Sequence, residues 1–256
     1  MSVWGRLGAF LLVLLGTFGT AYAVGEKLPG HTHTHGPARV VLASTTDGGY
    51  TLVIDDLGGA DKGTGTATFH LEHHGMPVTG FSMVHGALLH TIIVRPDLTG
   101  FHHVHPDIAA DGRWKVTFDQ PGPWHVVFES TPKGQSNAVV VATDVKGSAS
   151  AASPLPAPND VVTVKDLRIV RSGLTFSVAT LDGSPVSGLE PYLGQPAHLV
   201  ALRPGDLAYA HLHPMMNMVN AYMFGTKLPL SGTYRLFLQF GYRGDVLTVP
   251  FTVVQP

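Results

Sequence analysis

The chain contains no cysteine, which removes thiolate metal sites, cysteine nucleophiles and disulfide frameworks together. Charge is also scarce: 13% of residues are charged, the formal net charge is −2, and lysine and arginine form no cluster. Nucleic acid is therefore not an expected partner, since phosphate recognition needs a basic face. No Gly-x-Ser-x-Gly, no His-Glu-x-x-His and no phosphate-cradling glycine loop occurs. Hydrolase and nucleotide chemistries thus lack their usual residues. Beyond the N-terminal segment no stretch keeps a helical hydrophobic period.

What the chain does have is apolar residues (44%), 30 glycines and 19 prolines in 256 residues. That is enough to give two modest domains a core each. The first residues read Arg6, then Leu7-Gly-Ala-Phe-Leu-Leu-Val-Leu-Leu15, then Ala21-Tyr-Ala23. One positive charge, a short apolar region and an Ala-x-Ala site predict a signal peptide or a membrane anchor over 1–23. Either way the rest is expected outside the cytoplasm, extracellular or periplasmic, and an uncleaved segment 7–24 would be its sole membrane contact. Residues 24–37 carry His31, His33 and His35 among glycine, proline and threonine. They read as a flexible tail, either a metal collector or a plain spacer.

From 38 to 145, short apolar or alternating runs are divided by turn residues. Tyr50–Ile54, Thr66–Leu71, Leu88–Val94, Trp114–Phe118, Trp124–Phe128 and Ala138–Thr143 are the clearest. About seven strands at 8–12-residue spacing predict a β-sandwich. Residues 146–159, rich in alanine, serine and proline, read as a linker, part flexible and part semi-rigid. The pattern then restarts over 160–256. The fold expected is all-β, with two tandem immunoglobulin-like β-sandwich domains after the N-terminal segment.

A repeated motif supports the duplication. His90 is followed by Arg95-Pro and then by His103-Val-His105-Pro; His198 is followed by Arg203-Pro and then by His211-Leu-His213-Pro, at a constant offset of 108. Further on, Ser231-Gly-Thr-Tyr234 matches Pro121-Gly-Pro-Trp124 at offset 110, so the loop after the second motif holds the insertion. If a hairpin turns around Arg95–Gly100, His90 stands opposite His105, and His103 lies one diagonal step away on the same face. Three imidazoles so placed can hold one ion at about 2.0–2.1 Å per Zn–N bond. Beyond residue 125 only His198, His211 and His213 remain, so the second domain has the triplet and no other histidine. The bland alternative is that these rings merely brace their hairpins.

Further donors stand nearby in sequence: Met83 and His85 before the first triplet, and Met215, Met216 and Met218 after the second. Thioether with imidazole favours copper, with zinc as second choice. Binding by neutral imidazole is expected to weaken below about pH 6.

With these residues in view, the chain resembles a poorly characterised family of bacterial exported proteins with two sandwich domains. The resemblance rests on Leu89-His90…Arg95-Pro-Asp97-Leu98 and His103-x-His105-Pro in the first half. In the second it rests on Tyr192-Leu-Gly194…His198-Leu-Val-Ala-Leu-Arg203…Asp206-Leu-Ala-Tyr209. The sequence Gln195-Pro-Ala197 departs from the pattern. The family is similar to small immunoglobulin-like domains found with bacterial copper and heavy-metal handling systems, which implies metal handling. The function expected is an extracytoplasmic, non-enzymatic metal-binding protein, with one histidine site per domain and an envelope protein as possible recipient of the ion. The alternative is a cell-envelope interaction module whose histidines are structural.

Overall fold

A computed structural model describes residues 44–62, 64–120, 122–147, 152–228 and 230–256. The signal segment 1–23, the tail with His31, His33 and His35, and the middle of the linker lie outside the described residues.

The first half forms β1 (Thr46–Asp47), β2 (Tyr50–Asp56), β3 (Gly65–His73), β4 (Met76–Pro77), β5 (Phe81–Ser82), β6 (Leu89–Val94), β7 (His102–Val104), β8 (Trp114–Phe118), β9 (Trp124–Pro132) and β10 (Val139–Val145). The second forms β11 (Val161–Val164), β12 (Leu167–Ser172), β13 (Thr175–Thr180), β14 (Leu189–Glu190), β15 (His198–Leu202), β16 (Tyr209–Leu212), β17 (Met216–Met218), β18 (Ala221–Met223), β19 (Gly232–Tyr242) and β20 (Asp245–Gln255). Each half is a sandwich of two five-stranded antiparallel sheets. In the first, β1-β2-β3-β4 with β8 faces β10-β9-β6-β7 with β5; in the second, β11-β12-β13-β18-β17 faces β14-β19-β15-β16 with β20. The two tandem sandwiches expected from the sequence are present.

Three apolar cores fill this arrangement. Phe69, Leu71, Trp114 and Phe128 anchor the first sandwich, and Phe176, Leu236, Phe240 and Phe251 the second. The third joins the halves: Ile92, Val94, Val127, Val140 and Ala142 meet Val200, Leu202, Tyr209 and Phe237. The phenyl rings of Phe101 and Phe237 stack across this junction at 4.0 Å and 8°. The sheets of β6 and β15 are thus each covered on both faces, which explains their composition. Strands covered on both faces read as continuous apolar runs, whereas a half-exposed strand alternates. β6 and β15 are buried at every residue, while β8, on an outer sheet, alternates buried and exposed.

The described C-terminal part of the linker is held against both sandwiches. Leu155 packs against the third core, Ser153 N–H donates to the Asp97 carboxylate at 2.8 Å, and Asn159 exchanges two bonds with Thr252. The motif arginines have a packing role: Arg95 lies over Trp124 and Arg203 over the equivalent Tyr234, at 5.0 and 5.9 Å from the ring centroids. The described residues contain no helix long and apolar enough to cross a membrane.

Phe237 is 4% exposed and contributes chiefly to the junction. Phe237→Ala is expected to destabilise the protein by about 3–5 kcal/mol and to split urea unfolding into two steps as the halves uncouple. A single transition with an unchanged midpoint would contradict the shared core.

Candidate metal centre between the sandwiches

The pairing of β6 with β7 sets Thr91 against Val104 and Ile92 against His103, and carried one step on it places His90 opposite His105. In the second half Leu199 faces Leu212 and Val200 faces His211, so the same step pairs His198 with His213. His90 and His198 share the outward face of their strands with the residues of the third core. That face meets the other sandwich, and both triplets meet with it. Ring centroids of His103 lie 4.9 Å from both His198 and His211, and those of His90 and His211 lie 5.1 Å apart. The rings of the two copies therefore form one cluster, whereas the spacing alone led to one site in each sandwich. Strand pairing within a copy is local and visible in the sequence; which sheet faces meet is not.

Two groups of three bring their nitrogens within 4.8 Å of one another: His90, His103 and His211, and His198, His211 and His213. His211 belongs to both. The arrangement has an approximate two-fold symmetry relating β6, β7 and β9 to β15, β16 and β19. Gly86 and Gly194 mark its axis: a Cβ on Gly86 would come within 3.7 Å of Gly194 Cα. Both adopt positive φ (83° and 77°), a conformation open to glycine at little cost, so here the two backbones approach closely.

Hydrogen bonds fix which nitrogen of each neutral ring carries the proton. His90 Nε2–H donates to the Val84 carbonyl at 3.2 Å, and His198 Nε2–H to the equivalent Tyr192 carbonyl at 2.8 Å. Both rings thus turn a bare Nδ1 inward. Gln239 Nε2 donates to Thr248 Oγ1 at 2.9 Å, which orients the amide so that its oxygen accepts from His103 Nδ1–H at 3.1 Å. His211 Nδ1–H donates to the Glu129 carboxylate at 3.4 Å, and the same oxygen accepts from Tyr209 Oη–H at 3.0 Å. His103 and His211 therefore present a bare Nε2. His103 Nε2 and His213 Nε2 are buried without a hydrogen-bond partner among the described residues.

The first copy settles its remaining pair, because His105 Nε2–H can donate to His90 Nδ1 at 2.9 Å. In the second copy His198 Nδ1 faces His211 Nε2 at 3.1 Å, a hydrogen bond when His211 carries its proton on Nε2 and two facing lone pairs when the proton sits on Nδ1 toward Glu129. In the second of these tautomers the lone pairs repel unless a cation joins them. Two ligands of a tetrahedral ion bound at about 2.0–2.1 Å are themselves about 3.3 Å apart, so the observed separation is that of neighbouring ligands. The residues present fit a metal ion.

Placement of the other candidates is uneven. His85, at φ 51°, brings its ring to 4.0 Å from that of His213 across the interface. Met83 and Met215 are exposed, and Met216 and Met218 lie on β17 of the outer sheet. Among the remaining histidines, His70 bonds Asp55 and Glu72, His73 stacks on Tyr50, and His125 bonds Asp144. Glu129 and Gln239 escaped the sequence reading. They occupy equivalent positions, paired with His90 and His198 across β9 and β19. A signal existed, since both are polar residues set within apolar runs at the repeat offset of 110.

Burial, and secondarily the neighbouring rings, hold the cluster uncharged. Desolvation pushes His90, His105 and His198 down from 6.5 to about 4, with Glu129 partly opposing the shift at His90. His103, His211 and His213 are also pushed well below the ordinary value, again first by desolvation and then by neighbouring histidines. The acid limit for neutral imidazole thus moves from about pH 6 toward pH 4. For the metal-free fold the sign follows from proton counting. Between pH 6.5 and 4 the unfolded chain takes up protons that the folded chain excludes, so stability is full above 6.5 and falls with pH through that window. Thermal melts of metal-free protein are expected to show Tm dropping by on the order of 10 °C or more from pH 7 to pH 4. A flat profile would mean the rings are not held neutral.

The family model described as Domain of unknown function (DUF8832) matches residues 43–147 and 165–255, stretches that coincide with the two sandwiches. No curated protein shows significant similarity to the chain. Among solved structures the chain is similar to one titled "Biofilm associated protein - BSP domain", at 14% identity and a TM-score of 0.19. That similarity covers 86% of this chain and 29% of the other.

Proposed function

The chain belongs to the family described as Domain of unknown function (DUF8832), and within it we propose a non-catalytic metal-binding protein that holds one transition-metal ion between its sandwiches. What supports this is the convergence of buried imidazole nitrogens from both halves, two groups of three lying within 4.8 Å of one another, with His103 Nε2 and His213 Nε2 lacking a hydrogen-bond partner among the described residues. Imidazole donors without thiolate suit copper and zinc; copper is the first choice and zinc the second. Because the two groups of three share His211, they compete for it, and one ion per chain is expected rather than one per domain.

Storage or transfer fits this site better than turnover. The rings are packed between two sheets, and Met83 and Met215 stand two residues from His85 and His213, which touch across the interface. These exposed thioethers are soft donors suited to passing Cu(I) to an envelope partner. Residues 1–23 support export, with the membrane met only through that segment.

A second reading has its own observation. His90 and His198 each donate to a carbonyl of the preceding loop, as braces would, and the protein would then be an interaction module. Titration of the chain carrying His31, His33 and His35→Ala with Cu(I), Cu(II) and Zn(II), followed by mass spectrometry, separates the two. Near one equivalent is expected, falling close to zero in His211→Ala with the fold retained by circular dichroism. No retained metal, together with a lowered Tm in His211→Ala, would favour the braces.

A further inference from the structure

The cluster is nearly two-fold symmetric in its imidazoles but not in the residues behind them. His103 Nδ1 donates to the neutral amide of Gln239, and its equivalent His211 donates to the carboxylate of Glu129. Each lone histidine is held by a loop carbonyl at the same repeat position, while Tyr209, which also donates to Glu129, has Phe101 as its equivalent. We propose that Glu129 sets the charge preference of the centre, favouring divalent over monovalent ions. This inference rests on the metal-binding reading above.

Glu129 does two separable things. As an acceptor it fixes His211 with Nδ1–H outward and Nε2 bare, which Gln239 does equally well for His103. Partners that hold a ligating histidine typically change metal affinity about 10–100-fold when lost. As an anion it also offsets the charge of an ion bound at His211 Nε2, on the far side of the ring. His211 is the ligand common to both groups of three, so either position of the ion feels this carboxylate. Its side chain is 26% exposed, and Tyr209, fully buried behind it, donates to the same oxygen. That bond holds the negative charge against His211.

A Coulombic contribution scales with the charge of the ion, whereas an orienting contribution does not. Glu129→Gln keeps the acceptor and removes the charge, and it copies a residue the fold already holds at the equivalent position. The affinity loss for a divalent ion should then be the square of that for a monovalent one. A loss of about tenfold for Zn(II) would then accompany about threefold for Cu(I).

The experiment measures Zn(II) and Cu(I) affinities of the full chain by competition with chromogenic chelators, for the unsubstituted protein, Glu129→Gln, Gln239→Glu and the double exchange. The expected result is selective loss for Zn(II) in Glu129→Gln, a gain in Gln239→Glu, and recovery in the exchange. Equal losses for both ions, or no loss, would overturn the charge role while leaving the metal site standing. Failure of the unsubstituted chain to bind either ion would overturn the metal-binding reading itself.

Discussion

The contact between the two inner sheets governs the rest of the molecule. An imidazole on a half-exposed strand is an ordinary solvated base; the same imidazole on a strand covered from both sides is held neutral by desolvation. Ile92, Val94, Val200, Leu202 and Phe237 supply the apolar area that brings the sheets together. The histidines lie on the same strand faces as these residues, so the docking that builds the third core also assembles the cluster. Burial of so many titratable rings opposes folding in acid, and the surrounding apolar contacts have to outweigh that penalty.

Hydrogen-bond accounting sharpens what the cluster is. A buried histidine that serves only as a brace usually satisfies both nitrogens, since an unpaired buried polar atom costs about 1–3 kcal/mol. Here the outward nitrogens of His90, His198, His103 and His211 are satisfied by Val84, Tyr192, Gln239 and Glu129, while His103 Nε2 and His213 Nε2 have no partner among the described residues. Outward acceptors of this kind are what the proposed metal site would require to hold its imidazoles.

Much of this was legible in the sequence, and the part that was not has a definite physical origin. Turn chemistry and hydrophobic patterning located β2, β3, β6, β8 and β10 to within two residues and the repeat offset located the duplication, while β9 runs four residues past its expected end and β12 and β20 were not picked out. The hairpin register that sets His90 against His105 agrees with the observed pairing. Two-residue strands such as β1, β5 and β14 were out of reach, because so short a run has no period. The meeting of the two sheets was missed although a clue was present: apart from His90 and Thr91 in one and His198 in the other, Leu89–Val94 and His198–Leu202 are apolar on both faces, which is unfavourable on an open face. Glu129 was missed for the opposite reason, since one carboxylate in a strand acquires meaning only from what lies across the junction.

A covalent duplicate also has a freedom that a pair of identical subunits lacks. In a homodimer about the same axis any residue opposite the lone histidine would enter twice, as two amides or two carboxylates. Joined by residues 146–159, the halves can differ at that one position, and they do, with Glu129 in one and Gln239 in the other. The linker thus permits an odd number of charges at a site whose ligands come in pairs.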